Sequence, residues 1–325
     1  MNEFATAPCR FLHRPVLLTL LCFSASLGLA RAADFEVREE AEFKQIVPSG
    51  AKLERLATGM KFLEGPVWCT QDGGYLVFSD IPTDELKKWT AKEGLTGFRK
   101  PSFNANGNAV DRLGRLLSCE HTGRRVSRRE ADGSWQTVVD QSGGKKFNSP
   151  NDAVVKSDGT IWFTDPPYGL PKGAPKEQDG NYVFRFDPRT KTATVVVKDF
   201  DMPNGLCFSP DEKKLYVADS GQPHHIREFA VQRDGTLTGG AGFAVIDKGG
   251  AGWDSVRRAG SGFFERGRWR PHFRAGWKVD RQTSRAGVTG QFGFRRRGRQ
   301  NTFHHRANLA LFNFSAGQGC KVKLT

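Results

Sequence analysis

The sequence predicts an all-β chain, a six-bladed β-propeller of which about four blades are recognisable. Short apolar runs alternate with turns built on Gly, Pro and Asp, and few segments carry the 3.6-residue period of a helix. One frame also recurs: an Asn or Glu, then Gly or Asp, an apolar run, an Asp-centred turn, and a second apolar run ending in polar residues. It returns at Glu64, Asn106, Asn151 and Asn204, at intervals of 42, 45 and 53 residues. That spacing suits a blade of several strands. A β-sandwich with accidental internal similarity is the competing architecture.

The four copies follow in order. They are "LEGPVWCTQDGGYLVFSD" from Leu63, "NANGNAVDRLGRLLSCEH" from Asn104, "NSPNDAVVKSDGTIWFTDP" from Asn148 and "DMPNGLCFSPDEKKLYVADS" from Asp201. They fit within residues 50–250, and the remaining length would carry two further blades. In a propeller each innermost strand starts beside the central channel, so equivalent starts converge on one axis. The Pro and the Asn-Asp pair ahead of "AVV" resist strand formation and make a tight polar lead-in. One such Asn is ordinary turn chemistry. Three Asn and one Glu at matched places point to a shared site.

The two ends differ from this middle. Residues 1–32 read as a secretory signal peptide: a basic start at Arg10, His13 and Arg14, the apolar run "PVLLTLLCFSASLGLA", and small residues around Arg31. The run is too short and too unevenly flanked for a good membrane span. The expected location is therefore secreted or periplasmic, with no membrane association beyond the signal peptide. Residues 33–250 form the expected propeller.

Residues 251–325 hold 16 Lys and Arg against 3 Asp and Glu, whereas the rest of the chain holds 33 against 32. This basic remainder has seven Val or Leu and no Ile, and lacks the aromatic-and-glycine repeats of RNA modules. No nucleic-acid partner is expected; a tail binding nucleic acid or an anionic surface by counterion release is the alternative. Cys69, Cys119, Cys207 and Cys320 fit no zinc spacing and form no disulfide framework, so buried free thiols are expected near the strand-like runs.

A ring of carboxylate and amide oxygens is a hard-ligand site. It suits calcium first and magnesium or manganese second. In an open channel such a metal can act on a carbonyl and a bound water, which points to hydrolysis of an ester-like bond. A structural ion tying blades together is the plainer reading.

The motifs "FLEGPVW", "CEHTGRRVSR", "FNSPNDAVVKSDGTIWFTDPPYGL" and "MPNGLCFSPDEKKLYVADS" together resemble the gluconolactonase, senescence marker protein and luciferin-regenerating enzyme family over about residues 50–250. The resemblance implies a six-bladed propeller, one divalent metal (calcium preferred, with magnesium, manganese or zinc as alternatives), and hydrolysis of a sugar lactone as the small-molecule substrate. It implies Glu64, Asn151 and Asn204 as metal ligands, with Asn151 also contacting substrate. His121, Asp165 and Tyr168 would line the pocket. Each has a plainer reading: a loop histidine, a turn-shaping carboxylate before two prolines, a packing ring. A non-catalytic propeller that binds a sugar or protein partner is the alternative function.

The family's catalytic carboxylate belongs to a fifth-repeat Pro-Asp-Gly motif, and this chain lacks it. Where it should fall the sequence reads "GGAGWDSVRRAGSGFFERGRW". Codons permitted by Ala251–Arg258, read one base later, spell Pro-Asp-Gly-Ile-Arg-Cys-Asp. Those for Asn301–Leu311 in the same frame permit Thr-Leu-Phe-Ile-Thr-Ala-Arg-Thr-Ser-Leu-Tyr, a plausible closing strand. The charge jump and the missing motif coincide, so a frame change near Gly249–Ala251 is expected. The chain as written is then expected to hold four blades, degraded C-terminal blades, an incomplete metal site and little or no activity.

Overall fold

In a computed structural model of the chain, the described residues are 56–246, together with the backbone of four short strands further on. The chain divides into two units, Met1–Ala33 and Asp34–Thr325, and every described residue belongs to the second. The expected signal peptide lies outside the described residues. So does most of the basic remainder.

Four sheets of four antiparallel strands fill the described residues, each with its strands in chain order. The first blade is β1 (Leu63–Cys69), β2 (Tyr75–Asp80), β3 (Glu85–Thr90) and β4 (Gly94–Arg99). The second is β5 (Ala105–Val110), β6 (Leu116–Glu120), β7 (Arg125–Arg129) and β8 (Trp135–Val139). A small hairpin, β9 (Gln141–Ser142) with β10 (Lys145–Lys146), precedes the third blade. That blade is β11 (Ala153–Val155), β12 (Ile161–Asp165), β13 (Asn181–Asp187) and β14 (Thr192–Phe200). The fourth is β15 (Pro203–Phe208), β16 (Lys214–Asp219), β17 (His225–Val231) and β18 (Leu237–Val245). Beyond them, β19 (Phe263–Glu265) pairs with β20 (Arg268–Arg270), and β21 (Phe292–Phe294) with β22 (Leu309–Leu311). Of the residues expected to form the fifth and sixth blades, only these four strands are described.

The blades stack face to face, which explains their apolar runs. Successive side chains of a strand point to opposite faces, and here both faces are covered. In β12, Ile161 and Phe163 join a core with Leu117, Cys119 and Val126 of the second blade. Trp162, between them, packs with Leu206, Leu215 and Val217 of the fourth blade. Every residue of β12 is therefore buried. Cys69, Val77 and Leu86 close the first blade against Ala105 and Leu116 of the second. Cys69, Cys119 and Cys207 are free and buried, as expected.

Each second strand ends in an acid: Asp80, Glu120, Asp165 and Asp219, all essentially without exposure. Three of them accept backbone N–H groups just ahead of their own blade's inner strand. Phe62 N donates to Asp80 Oδ1 (3.1 Å). Asn148 N and Ser149 N donate to the two Asp165 oxygens (2.8 Å each). Asp201 N and Met202 N donate to those of Asp219 (2.9 and 2.8 Å). A carboxyl group is a good acceptor for such orphan donors, so these acids pin the turn that feeds each inner strand.

Glu120 differs. It takes Arg99 Nη1 from the first blade (2.7 Å), Arg125 Nε (2.6 Å) and Ser127 Oγ (2.5 Å). The Arg99 guanidinium lies over the Trp135 ring at 4.1 Å. Removing one partner of a buried ion pair leaves the other charge uncompensated. Glu120→Gln should therefore lower the unfolding free energy by about 3–5 kcal/mol in urea denaturation. Glu93→Gln, which removes an exposed carboxylate 3.9 Å from the half-buried Lys88, should cost less than about 1 kcal/mol. Equal small effects would contradict this packing.

Candidate functional site

The site is built where the inner strands begin. Glu64, Asn106 and Asn204 are each the second residue of their inner strand. Each is followed by glycine (Gly65, Gly107, Gly205) and sits at a register shift in its ladder, between Glu64 and Val67, Ala105 and Asn108, Pro203 and Leu206. Bulges of this kind re-aim side chains. In the third blade Asn151 and Asp152 precede β11, yet Asn151 N donates to Thr164 O (2.8 Å) and Thr164 N to Asp152 O (3.0 Å), so the ladder still reaches them.

Glycine is required here by close approach. A Cβ on Gly107 would lie 2.4 Å from Asp152 Oδ1 and 2.6 Å from Asn151 O; one on Gly65 would lie 2.1 Å from Asn106 O. Gly107 N donates to Asn151 O at 2.7 Å. Asn108 Nδ2 reaches Gly65 O (2.9 Å), and Thr164 Oγ1 reaches Asn204 O (2.7 Å). Neighbouring blades thus interlock through backbone at the level of the site.

The side chains ahead of these glycines meet. Asn106 Nδ2 donates to Asn151 Oδ1 (2.7 Å), Asn151 Nδ2 to Asn204 Oδ1 (3.0 Å), and Asn204 Nδ2 to Ser220 Oγ (2.9 Å). One amide from each of three consecutive blades forms a single relay. His121 Nε2 sits beside it, 3.3 Å from Asn151 Oδ1 and 3.4 Å from Asn106 Nδ2. Burial pushes the His121 imidazole down to about 4, with the Asn151 contact pulling the other way, so the ring is neutral at pH 7. The Tyr168 hydroxyl interacts with Ser220 and Asn204, although the ring is 41% exposed. Glu64, partly buried, holds in the first blade the strand position that Asn106 and Asn204 hold in theirs.

Of the residues the sequence singled out, Asn151, Asn204, His121 and Tyr168 come together. Asp165 does not join them: its carboxylate is spent on the Asn148 and Ser149 N–H groups. Burial pushes that carboxyl up to about 7 while those two bonds pull it back. Asn106 and Ser220 were missed as site residues. Asn106 stood in the repeat without a role. Ser220 follows the acid Asp219 as His121 follows Glu120, a matched position that could have flagged it.

The donor set fits a hard cation. Asn151 Oδ1 and Asn204 Oδ1 each accept one short amide N–H, and a carbonyl oxygen has two lone pairs. Both are oxygen donors, and the Glu64 carboxylate holds the matched strand position in the first blade. Among the described residues no group of three or more His, Cys, Asp or Glu could hold a metal ion. Amide oxygens of this kind are hard donors, suited to calcium or magnesium rather than to softer metals.

Comparison with known proteins gives the same neighbourhood. Residues 62–269 match the family described as the SMP-30/Gluconolactonase/LRE-like region, running past the composition break at residue 250. A gluconolactonase of Zymomonas mobilis is 35% identical over 192 residues, 54% of this chain and 53% of that protein. A lactonohydrolase of Aspergillus oryzae is 39% identical over 93 residues, 27% of this chain and 21% of that one. The chain thus spans about half the length, or less, of these curated relatives. A solved gluconolactonase from Xanthomonas campestris is 35% identical with a TM-score of 0.63, over 67% of this chain and 74% of its own.

The interlock makes a direct prediction. Gly107→Ala should destabilise the fold by about 3 kcal/mol, because the obstructing atoms are backbone and a buried carboxylate that cannot retreat. Gly242→Ala, whose added carbon meets nothing within 4 Å, should change stability by less than about 0.5 kcal/mol. Urea midpoints of the two variants check it.

Proposed function

The chain belongs to the SMP-30/gluconolactonase/LRE-like family, and on that premise we propose that its channel site opens sugar lactones, gluconolactone first among them. The observation that carries the reading is the relay of Asn106, Asn151, Asn204 and Ser220, which gathers polar groups from three successive blade starts. A lactone is small, uncharged and rich in oxygen. Such a ligand is held by neutral donors and acceptors, which this relay supplies.

In this proposal Glu64, Asn151 and Asn204 would hold one divalent cation, calcium by preference. When bound, the cation supplies polarisation of an ester carbonyl and of a water. Asn151 keeps one amide N–H beyond the one spent on the relay, able to donate to a substrate oxygen. Neutral His121 can donate to or accept from a sugar hydroxyl without bringing a charge into a buried place. Tyr168 offers its phenol at the exposed side.

Hydrolysis adds water across the ring ester: the water oxygen bonds to the carbonyl carbon, the ring C–O bond breaks, and a hydroxy acid leaves. The water's proton needs a carboxylate acceptor. The fifth-repeat Pro-Asp-Gly that would supply it is missing from the sequence, so the chain as written is expected to be slow or inactive. A non-catalytic propeller that binds a sugar through the same relay is the second reading, favoured by that missing acid.

The experiment is gluconolactone hydrolysis, measured above the spontaneous rate with calcium present. The chain as written should show little. A chain rebuilt from residue 251 in the shifted frame should hydrolyse the lactone, and Glu64→Gln in that chain should lower the rate at least about 100-fold, the scale of losing one transition-state contact. A folded frame-restored chain without lactonase activity would overturn the catalytic reading and leave the binding one.

A further inference from the structure

Two adjacent prolines leave a turn with little to hold it by. In Pro166-Pro167-Tyr168-Gly169, between β12 and β13, neither proline has a backbone N–H to donate. One hydroxyl makes up for this. Ser149 Oγ donates to Pro166 O at 2.6 Å and accepts from Gly169 N at 2.9 Å. Neither bond can run the other way, because a carbonyl only accepts and a backbone N–H only donates. A single side-chain atom thus bridges the first and last residues of the turn.

Ser149 is a firm base for such a bridge. It is fully buried, and its own N–H donates to Asp165 Oδ1 at 2.8 Å. Pro150 follows it and leads directly into Asn151 of the relay. The turn, so held, lies on the site. A Cβ on Gly169 would stand 2.3 Å from His121 Cβ and 2.7 Å from its Cγ, so the chain passes close against that side chain. Tyr168, inside the turn, is bonded at its tip to Ser220 and Asn204.

We propose that Ser149 is a positioning residue for the lactone site: its hydroxyl clamps the turn of residues 166–169 where Tyr168 can reach Asn204 and form one wall of the pocket. The tip of the tyrosine has its own partners; the clamp fixes the root from which it reaches them. With the hydroxyl gone, Pro166 O and Gly169 N lose a buried partner, and the turn is free to lift from His121. The tyrosine then keeps its ring but not its place. The part that concerns ligand binding rests on the proposed function; the clamp itself does not.

Amide hydrogen exchange on the full chain reads the clamp. In the unsubstituted protein the Gly169 N–H should exchange at least about tenfold slower than in a free chain, because its acceptor is buried. Ser149→Ala should speed exchange at Gly169 about tenfold or more, the scale of one lost buried bond. Ser142→Ala removes a different hydroxyl, bound to Ala193 O at 2.8 Å, and should leave Gly169 unchanged. A Gly169 N–H unprotected in the unsubstituted chain, unaltered in Ser149→Ala, or equally loosened by Ser142→Ala overturns the proposal.

The ligand side is read by calorimetry with gluconolactam, whose ring carries N–H in place of the ester oxygen and resists hydrolysis, in the presence of calcium. Ser149→Ala should weaken its binding about fivefold. In a Tyr168→Ala background the same change should have little effect, because the side chain it places is gone. Unchanged affinity, or an equal loss in both backgrounds, overturns the positioning of Tyr168. A full chain that binds no lactam overturns the ligand reading of the site instead, and exchange at Gly169 alone then decides the clamp.

Discussion

Neighbouring blades must bring their inner strands together closely enough for backbone to touch backbone, and the rest of the site follows from that constraint. Gly65 lies against Asn106 and Gly107, and Gly107 in turn against Asn151 and Asp152. A direct 2.7 Å bond from Gly107 N to Asn151 O joins the second blade to the third. No side chain fits between these strands. The start of one blade therefore fixes the start of the next, and Asn106, just before the Gly107 approach, is delivered to Asn151 of the third blade. The third blade puts Asp152 where the others have glycine, and it reaches onward to Leu206 N of the fourth blade at 3.4 Å.

Two sets of polar residues divide the work. The acids at the ends of the second strands hold backbone: Asp80, Asp165 and Asp219 each pin the turn ahead of an inner strand. The amides at the starts of the inner strands hold one another. Separating these roles lets the turns stay rigid whatever occupies the relay. Glu120 is the exception, with its carboxylate given to Arg99 of the preceding blade and to Arg125. It adds an ionic link between the first two blades, as Arg227–Asp199 and Lys156–Glu212 do between the third and fourth.

Much of this was legible in the sequence. "TIWFT" reads as a strand buried on both faces, and Ile161–Asp165 is one, because each face meets a different neighbouring blade. The Asn-Gly and Asn-Asp pairs announced the convergent starts, since few other residues make so tight a polar lead-in. The acids were less legible. They read as polar strand ends because their partners are backbone N–H groups some 16 to 19 residues upstream, which carry no side-chain signal. Asp165 entered the candidate pocket by its motif alone, and its carboxylate is occupied with the turn. Ser220 and the relay role of Asn106 depend on distances between blades that no local pattern encodes.

The central claim is that side chains 53 residues apart, Asn151 and Asn204, are held together as one unit by the interlocked blade starts. A double-mutant cycle on unfolding free energy, with Asn151→Ala and Asn204→Ala, tests it most directly. The account predicts a coupling of about 1 kcal/mol, the scale of one buried hydrogen bond. Strictly additive effects would contradict it, because the two amides would then not be sharing a bond.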